Sequence, residues 1–341
     1  MDLIQDMLRQ QKKEYPAFYE EHIGQVISAY MEAKKNAPHC VGFAFITDIH
    51  IHLNGRASVP LLLKIGENTD IKTVLCGGDH CWAFGSKAQC LVNFSDSLNY
   101  MDPLRETMNL YHARGNHDCT VQSSFELATG YTMPYDVLQQ TFASHSTPAS
   151  GSVPGKLYYF ADDADNKIRY IILDTSENHL DEDAGWGVEN GMHEEQLQWL
   201  ANVALQLPDE DWAAVAVGHI PCTEELCRFK GNLDSLRIIM EAFKNKTSCD
   251  YADFTNVKGE LVAYLCGHTH RDASAFTNGL LHVNTGCDAY CKDDGISRDV
   301  GRTENTLFDI FILDRQEKTL RTLRVGAGKD RFFYYDSETI L

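Results

Sequence analysis

The sequence predicts an α/β fold in which helices are layered on β-sheets, and three observations support this prediction. Short apolar runs that end in glycine or a polar residue recur along the chain, namely VGFAFITD (41–48), TVLCGGD (73–79), AAVAVGH (213–219) and LVAYLCGH (261–268). Helical stretches such as HEEQLQWLANVALQL (193–207) lie between them. The C-terminal third contains three strand-like runs joined by turns, at 279–286, 305–314 and 319–328. Strands that alternate with helices favour α/β layering, and the three final runs predict a second sheet.

The first 36 residues are predicted to form an N-terminal helical extension, 1–36. Proline suits the first position of a helix, and after Pro16 apolar side chains recur at three- and four-residue steps as far as Met31. This spacing gives the helix one apolar face to bury. We expect that face to pack on the rest of the chain, with an oligomeric contact or a partner protein as the alternative. No linker or repeat follows, so residues 37–341 are assigned to one domain.

The apolar runs are typical of strands that are covered on both faces of a sheet. The run that begins at Val41 ends in a carboxylate, and the runs that begin at Ala213 and Leu261 end in Gly-His. In open α/β sheets, ligands bind outside the carboxyl ends of the strands. The sequence therefore places its histidines where an α/β protein builds a binding site.

Composition argues against several classes of function. The chain has 341 residues, of which 43% are apolar and 23% charged, as in an ordinary soluble globular protein. Its 30 Lys and Arg against 49 Asp and Glu give a net charge of −19, which excludes a broad basic surface. Extended nucleic acids and anionic membranes are therefore not expected as partners. A site for a small anion must obtain its positive charge locally, and a bound metal is the obvious source.

Cysteine usage and the first residues predict a cytoplasmic location. The eleven cysteines are scattered without a Cys-x-x-Cys pair, so reduced thiols are favoured over a disulfide framework or a zinc ribbon. The initial segment has acidic residues and no continuous apolar stretch, unlike a signal peptide. No run approaches the roughly 18 apolar residues that a membrane-spanning helix needs.

Five short motifs carry the candidate chemistry. They are Asp48-Ile-His50, Gly78-Asp79, Gly115-Asn116-His117-Asp118, Gly218-His219 and Gly267-His268-Thr269-His270. Residues two apart in an extended segment point to the same side, so the first motif and the last can each bring two side chains to one point. Carboxylate oxygen, imidazole nitrogen and one amide oxygen suit zinc, manganese, iron or nickel rather than calcium. The motifs supply seven side chains of these types. Seven ligands are too many for one ion and fit two ions that share a carboxylate.

The order of these motifs resembles that of the calcineurin-like metallophosphoesterase family over about residues 41–290. A bacterial or phage-type member is indicated, similar to the dinuclear-metal cyclic-nucleotide phosphodiesterases. The resemblance implies an αββα sandwich, that is, two mixed sheets that face each other with helices outside. It also implies two divalent or trivalent transition-metal ions, either manganese, iron, zinc or nickel.

The resemblance assigns a role to each motif residue. Three ligands are implied for the first metal (Asp48, His50 and His270), three for the second (Asn116, His219 and His268), and Asp79 is implied to bridge both. His117 is similar to the family's histidine that stabilises or protonates the leaving oxygen. Relatives often orient that histidine with a polar residue where this chain has Trp82. Asp118 or His80 could substitute, and a structural role for either is the alternative. Asp118 is the one assigned as catalytic with His117.

The predicted function is therefore that of a dinuclear metal-dependent phosphohydrolase. The preferred substrate is a small phosphodiester or nucleotide, because the acidic composition argues against long nucleic acids. Three alternatives stay open. They are a phosphomonoesterase of broad specificity, a nuclease, and a binding or scaffold protein that keeps the fold without catalysis. No substrate-binding residue is assigned.

Overall fold

The computed structural model describes residues 14–51, 54–81, 87–118, 134–177, 191–228, 232–289, 298 and 301–338. The strands in these ranges are β1 Val41–Ile46, β2 Thr73–Cys76, β3 Asn109–His112, β4 Gly151–Ser152, β5 Tyr159–Asp163, β6 Ile168–Ile172, β7 Ala213–Val217, β8 Glu260–Cys266, β9 Ala273–Thr277, β10 Leu280–Asn284, β11 Leu307–Asp314, β12 Thr319–Gly326 and β13 Arg331–Tyr334. The α-helices are Glu20–Asn36, Ser58–Asn68, Lys87–Met101, Tyr135–His145, Glu194–Trp199 and Asp234–Asn245.

Two mixed sheets form the centre of the fold, as predicted. The six-stranded sheet has the order β13-β12-β11-β1-β2-β3, and the seven-stranded sheet has the order β4-β5-β6-β7-β8-β10-β9. Strands β1, β2 and β3 run parallel to one another, as do β6, β7, β8 and β10. The remaining neighbours pair antiparallel.

The core follows from the alternation of side chains along the strands. Phe43 and Phe45 of β1 lie in one apolar cluster with Val215 and Val217 of β7, so this cluster fills the space between the sheets. Successive residues of a strand point to opposite faces, and Ala44 accordingly belongs to a second cluster, which includes the side chains of the flanking helices. Helices cover the outer face of the other sheet in the same way. The result is a four-layer αββα arrangement.

The N-terminal helix packs on the chain's own sheet. The helix Glu20–Asn36 contacts β12 and the helix Ser58–Asn68. Its apolar face is buried at Ile23, Val26 and Tyr30. This confirms the expectation that the face packs on the rest of the chain. An oligomeric contact through this helix stays a prediction, as does a domain boundary at 36/37. Residues 1–13 of the predicted extension lie outside the described residues.

The prediction that the three C-terminal runs form one second sheet is wrong. β10 lies in the seven-stranded sheet beside β8, whereas β11 and β12 lie in the six-stranded sheet beside β1. The chain crosses from one sheet to the other between β10 and β11. Phe311 of β11 lies opposite Phe43 of β1 and shares its buried cluster. Apolar strands can pack in either sheet, and periodicity within one strand does not reveal which neighbour it pairs with.

The topology brings several strand ends to one edge of the sandwich. The parallel strands β1, β2 and β3 end in the loops that carry three of the predicted motifs, and the parallel strands β7 and β8 end in the other two. A backbone hydrogen bond joins loops from the two sheets, since Asp288 N–H, after β10, donates to Thr47 O, after β1, at 3.0 Å. Within the seven-stranded sheet, Gly267 N–H donates to His219 O at 3.0 Å and joins the loops after β8 and β7. Within the described residues, no helix is long and apolar enough to cross a membrane.

Candidate metal centre

All seven predicted metal ligands lie together at the carboxyl ends of five strands. Asp48 and His50 follow β1, Asp79 follows β2, Asn116 follows β3, His219 follows β7, and His268 and His270 follow β8. Six of these seven side chains belong to two groups of closely spaced donor atoms that share one carboxylate. The one remaining residue, Asn116, contacts that second group through a hydrogen bond.

The first group of donor atoms comes from Asp48, His50, Asp79 and His270. His270 Nε2 lies 3.2 Å from Asp48 Oδ1 and 3.2 Å from His50 Nε2. His50 Nε2 lies 3.9 Å from Asp79 Oδ2. The other ring nitrogen of His50 lies 3.2 Å from the carbonyl oxygen of Cys81. Because a carbonyl oxygen only accepts, Nδ1 carries the proton and the lone pair of Nε2 faces the group.

The second group comes from Asp79, His219 and His268. His219 Nε2 lies 3.1 Å from Asp79 Oδ2, and its Nδ1 donates to the carbonyl oxygen of Gly77 at 2.8 Å. This bond orients the ring with Nε2 toward the carboxylate. Asn116 Oδ1 lies 3.0 Å from His268 Nδ1. Asp79 is the one residue that belongs to both groups, in the position that a bridging carboxylate would occupy.

In each of the two aspartates, one carboxylate oxygen accepts hydrogen bonds from neighbouring protein groups and the other oxygen faces the histidines. Asp48 Oδ2 accepts hydrogen bonds from Thr47 Oγ1 at 2.8 Å and from the backbone N–H of His268 at 3.0 Å. Asp79 Oδ1 accepts from the backbone N–H of His117 at 2.9 Å. The carboxylates are therefore oriented by the fold before any ligand binds.

Left-handed backbone conformations are concentrated at this site. The φ angle is 53° at Asp48, 37° at His50, 54° at Asp79, 70° at His268 and 56° at His270. Such conformations cost a residue with a side chain about 1–3 kcal/mol each and persist only where the surroundings enforce them. One of those restraints is the backbone hydrogen bond of 3.1 Å from His50 N–H to Asp79 O. Strain of this kind is typical of functional sites.

Burial and charge set the protonation states of three side chains of the cluster, whereas for His219 burial lowers the pKa but the neighbouring Asp79 outweighs it and raises this pKa to about 9. Burial lowers the pKa of His50 to about 4 and that of His268 to about 3. Burial raises the pKa of Asp48, but the neighbouring His270 outweighs it and lowers this pKa to about 2. Near neutral pH the two imidazoles are therefore neutral and the carboxylate is ionised. These are the protonation states in which such side chains bind metal ions.

Two buried atoms test whether a metal fits here. Asp48 Oδ1 and His219 Nε2 both face the cluster, and neither makes a hydrogen bond to a residue that the structure describes. A buried polar atom left without a hydrogen bond costs about 1–3 kcal/mol. A cation would bind both atoms, and the mixture of carboxylate oxygen and imidazole nitrogen suits zinc, manganese, iron or nickel. The residues present therefore fit a metal centre.

His117 lies at the open side of the cluster. Its Nε2 is 3.9 Å from Asp79 Oδ2, and its ring centroid is 5.6 Å from that of His50. Its side chain is 14% exposed, whereas those of Asp79 and His50 are each 1% exposed. A side chain in this position can reach a molecule that enters the site from solvent.

Asp118 lies beneath the loops that carry the cluster. Its Oδ2 accepts hydrogen bonds from the backbone N–H groups of Asp79 at 3.0 Å and Gly115 at 2.8 Å. Its Oδ1 accepts from those of His80 at 2.8 Å and Cys81 at 3.3 Å. One carboxylate thus fixes the loop after β2 against the loop after β3.

The side chains of Asp118 and His80, named as alternatives for orienting His117, bind each other. His80 Nδ1 donates to Asp118 Oδ2 at 2.9 Å, and His80 Nε2 lies 2.8 Å from His112 Nδ1. Among the described residues, no hydrogen bond of Asp118 goes to the ring of His117. These contacts indicate a positioning role for Asp118, and its direct catalytic role stays a prediction.

Three further residues lie beside the motifs. Trp82 is outside the described residues, whereas Arg114 and Arg271 are described. Arg114, which precedes Gly115, is buried and donates to Asp174 Oδ1 from Nε at 2.9 Å and from Nη2 at 2.7 Å. Arg271, which follows the last predicted ligand, is exposed.

Sequence reasoning missed the groups that hold the ligands in place. Thr47 Oγ1 bonds the Asp48 carboxylate, and the Gly77 carbonyl oxygen fixes the His219 ring. Thr47 had a sequence signal, because it is a hydroxyl residue directly beside a candidate ligand at a strand end. A backbone carbonyl has none.

The comparisons with known proteins agree with this geometry. The family model described as calcineurin-like phosphoesterase matches residues 42–272. This range contains every predicted metal ligand and His117. No curated protein matches the chain.

Several solved structures are similar to this chain. A dimetal phosphatase from Danio rerio has a TM-score of 0.60 at 15% identity, with 86% of this chain and 98% of that chain covered. Phosphopantetheinyl hydrolase from Mycobacterium tuberculosis has a TM-score of 0.35 at 13% identity, with 72% and 89% covered. Zinc-bound Vps29 from Entamoeba histolytica has a TM-score of 0.34 at 13% identity, with 86% and 97% covered. The first of these matches shows that the two-sheet arrangement is shared.

Proposed function

The chain belongs to the calcineurin-like phosphoesterase family and is a phosphate-ester hydrolase, and from this premise we propose that it cleaves small phosphodiesters or nucleotides at a two-metal site centred on Asp79. The observation that carries the proposal is the membership of Asp79 in both groups of donor atoms. Its Oδ2 lies 3.1 Å from His219 Nε2 and 3.9 Å from His50 Nε2, between the two groups.

In this proposal the donor groups hold one ion each. Three residues bind the first ion (Asp48, His50 and His270), three bind the second (Asn116, His219 and His268), and Asp79 binds both. Bound ions of this kind supply the positive charge that clamps a phosphate, and they activate water for attack on phosphorus. The protein's own contribution is orientation, since the Cys81 and Gly77 carbonyl oxygens fix the His50 and His219 rings.

His117 is proposed as the group that serves the leaving oxygen. Its side chain is 14% exposed, whereas those of His50 and His219 beside the same oxygen are 1% and 0% exposed. A histidine can donate a proton near neutral pH. Its backbone N–H is bound to Asp79 Oδ1, so the position of its ring is tied to the bridging carboxylate. Asp118 supports this arrangement because its carboxylate accepts hydrogen bonds from the backbone N–H groups of Asp79 and Gly115.

The preference for a diester is supported by the scarcity of cations at the motifs. Arg114 and Arg271 are the basic residues beside them, and the Arg114 guanidinium is buried and paired with Asp174. A monoester dianion gains more from an added cation than a diester monoanion does, because the Coulomb energy scales with charge. In a chain of net charge −19, electrostatic repulsion of an approaching diester monoanion is weaker than that of a monoester dianion.

The test compares kcat/KM for bis(p-nitrophenyl) phosphate with that for p-nitrophenyl phosphate. We expect the diester to have the higher value, and we expect moderate salt to improve the monoester more by screening the acidic surface. Asp79→Ala, purified in the same way, measures the background from contaminating phosphatases. A clear preference for the monoester at every ionic strength would indicate a phosphomonoesterase. Hydrolysis of neither ester above the Asp79→Ala background would indicate a non-catalytic protein.

A further inference from the structure

We propose that Arg324 is a positioning residue for both metal positions, because it holds the Asp272 carboxylate and thereby the turn that carries His268 and His270. This inference rests on the proposed function, since it concerns the geometry of the same ligands. Arg324 lies on β12, in the C-terminal part of the chain beyond residues 42–272, which the family model matches.

The Arg324 guanidinium donates hydrogen bonds to two carboxylates. Nη1 donates to Asp272 Oδ2 at 2.7 Å and Nη2 donates to Asp272 Oδ1 at 2.9 Å, which is a two-pronged contact. Nε donates to Asp309 Oδ1 at 2.8 Å. The Arg324 side chain is only 2% exposed and that of Asp309 is fully buried. A charge-assisted pair of this geometry fixes both position and direction of the carboxylate.

Asp272 joins two loops of the metal site. It lies two residues after His270, and its Oδ1 accepts a hydrogen bond from the backbone N–H of Gly286 at 3.0 Å. The loop that begins at Gly286 contacts the first motif in turn, because Ala289 N–H donates to Asp48 O at 3.2 Å. Arg324 therefore acts on loops that carry or contact ligands of both proposed ions.

The turn that carries the two histidines needs restraint from outside. His268 and His270 both have positive φ, and a strained turn keeps its shape only where its surroundings enforce it. Side-chain contacts hold its far end, and two of them come from distant parts of the chain. One is the Asp272–Arg324 pair, and the other is the bond of 2.7 Å from Asn284 Nδ2 to the carbonyl oxygen of Arg271.

The glycine-rich segment after β12 is shaped around the same guanidinium. The carbonyl oxygen of Ala327 accepts from Arg324 Nη1 at 2.8 Å. A Cβ atom on Gly328 would overlap Arg324 Nη1, and φ at Gly328 is 98°. Asp330 Oδ1 accepts from the backbone N–H of Arg324 at 2.8 Å. This explains the glycine at position 328, which the proposed chemistry does not use.

The experiment measures metal binding to metal-free protein, with Co²⁺ titrated and followed by visible absorption and equilibrium dialysis. The variants are Arg324→Ala, Arg324→Lys and Asp272→Asn. The matched control is Arg169→Ala, because Arg169 is also buried and makes the same kind of two-pronged contact, to Asp162 at 2.7 and 2.8 Å. Arg169 lies near the amino end of β6, at the edge of the sandwich opposite the candidate site.

We expect Arg324→Ala and Asp272→Asn to weaken both Co²⁺ affinities by about 10–100-fold, the usual effect of losing a group that orients a metal ligand. The Co²⁺ absorption spectrum should change as well. Arg324→Lys, which keeps the charge but cannot bond both oxygens at once, should lie between these variants and the wild type. Arg169→Ala should bind Co²⁺ within about twofold of the wild type, even where it lowers the unfolding free energy.

Two results would overturn the inference. Wild-type Co²⁺ affinities in all Asp272 and Arg324 variants would show that the Asp272–Arg324 pair does not position the ligands. Equal weakening by Arg169→Ala would show that general destabilisation explains the loss. Failure of the wild type to bind Co²⁺ would instead overturn the proposed function itself. If Arg324→Ala does not fold, Arg324→Lys and Asp272→Asn still decide among these outcomes.

Discussion

The backbone N–H of His117 donates a hydrogen bond of 2.9 Å to Asp79 Oδ1, the oxygen opposite to the one that faces the histidine cluster. The carboxylate proposed to bridge two metals and the histidine proposed to serve the leaving oxygen are thus joined directly. A change that moves Asp79 must also move the backbone of His117. The consequences for metal binding and for turnover can therefore be separated only by choosing variants that leave this hydrogen bond in place.

Gly115→Ala should displace Asp79. A Cβ atom at this position would overlap the backbone nitrogen and Oδ1 of Asp79, so the loop after β2 must move. We expect a loss of about 1–3 kcal/mol in the free energy of unfolding and weaker binding of both metals. The control is Gly24→Ala in the helix Glu20–Asn36, where a Cβ meets nothing within 4 Å. It should be neutral or stabilise by up to about 1 kcal/mol. Urea unfolding and metal analysis measure both, and normal metal content in Gly115→Ala would contradict the close packing.

His117→Ala should separate catalysis from metal binding. The variant keeps its backbone bond to Asp79, so we expect full metal content with turnover lowered by about 10²–10⁴, the usual contribution of a positioned acid or base. The loss should be larger for esters with poor leaving groups, because those need the proton most. His39→Ala, which changes an ion-paired histidine at Asp314 on the surface, is the control and should keep full activity. Equal losses for all leaving groups would show that His117 only positions the phosphate, and loss of metal would make it a ligand.

Asp309 should make stability depend on acid pH. Burial raises the pKa of this carboxyl, but the charges of Arg324 and Arg331 outweigh it and lower the pKa from 3.8 to about 2. Its contribution to stability is therefore complete above about pH 4 to 5 and is lost as the pH falls toward 2. Asp309→Asn lacks this ionisation, so the difference in unfolding free energy between the two metal-free proteins should be largest near pH 7 and shrink in acid. A difference that stays constant between pH 7 and pH 3 would contradict the ionised Asp309–arginine cluster.

Much of the candidate site could be predicted from the sequence because its residues follow strand ends. Asp48, Asp79, His219 and His268 each come within three residues of an apolar run, and parallel strands bring such positions to one edge. The order of the motifs then indicated the family, and the resemblance to that family implied which ligands bind which ion. Neither step needs knowledge of which side chains contact each other.

Most of the supporting contacts could not be predicted, since they join residues far apart in sequence. Arg324 and Asp272 are 52 residues apart, and no spacing rule connects them. The same limitation explains why β11 was not predicted to lie in the sheet of β1. Asp118 shows an intermediate case, because its motif was recognised but its bonds to Asp79 and His80 depend on how two loops meet.

The most direct test of the account is a titration of metal-free protein with Mn²⁺ in which bound metal and diester hydrolysis are measured on the same samples. We predict that the wild type binds two equivalents and that hydrolysis rises mainly with the second. Asp79→Ala should lose both bound ions and all measurable hydrolysis, because it removes a ligand from each. The control Asp136→Ala, which changes an exposed carboxylate on the helix Tyr135–His145, should match the wild type. Binding that saturates at one equivalent, with full hydrolysis at that point and no change on Asn116→Ala, would contradict the two-metal site.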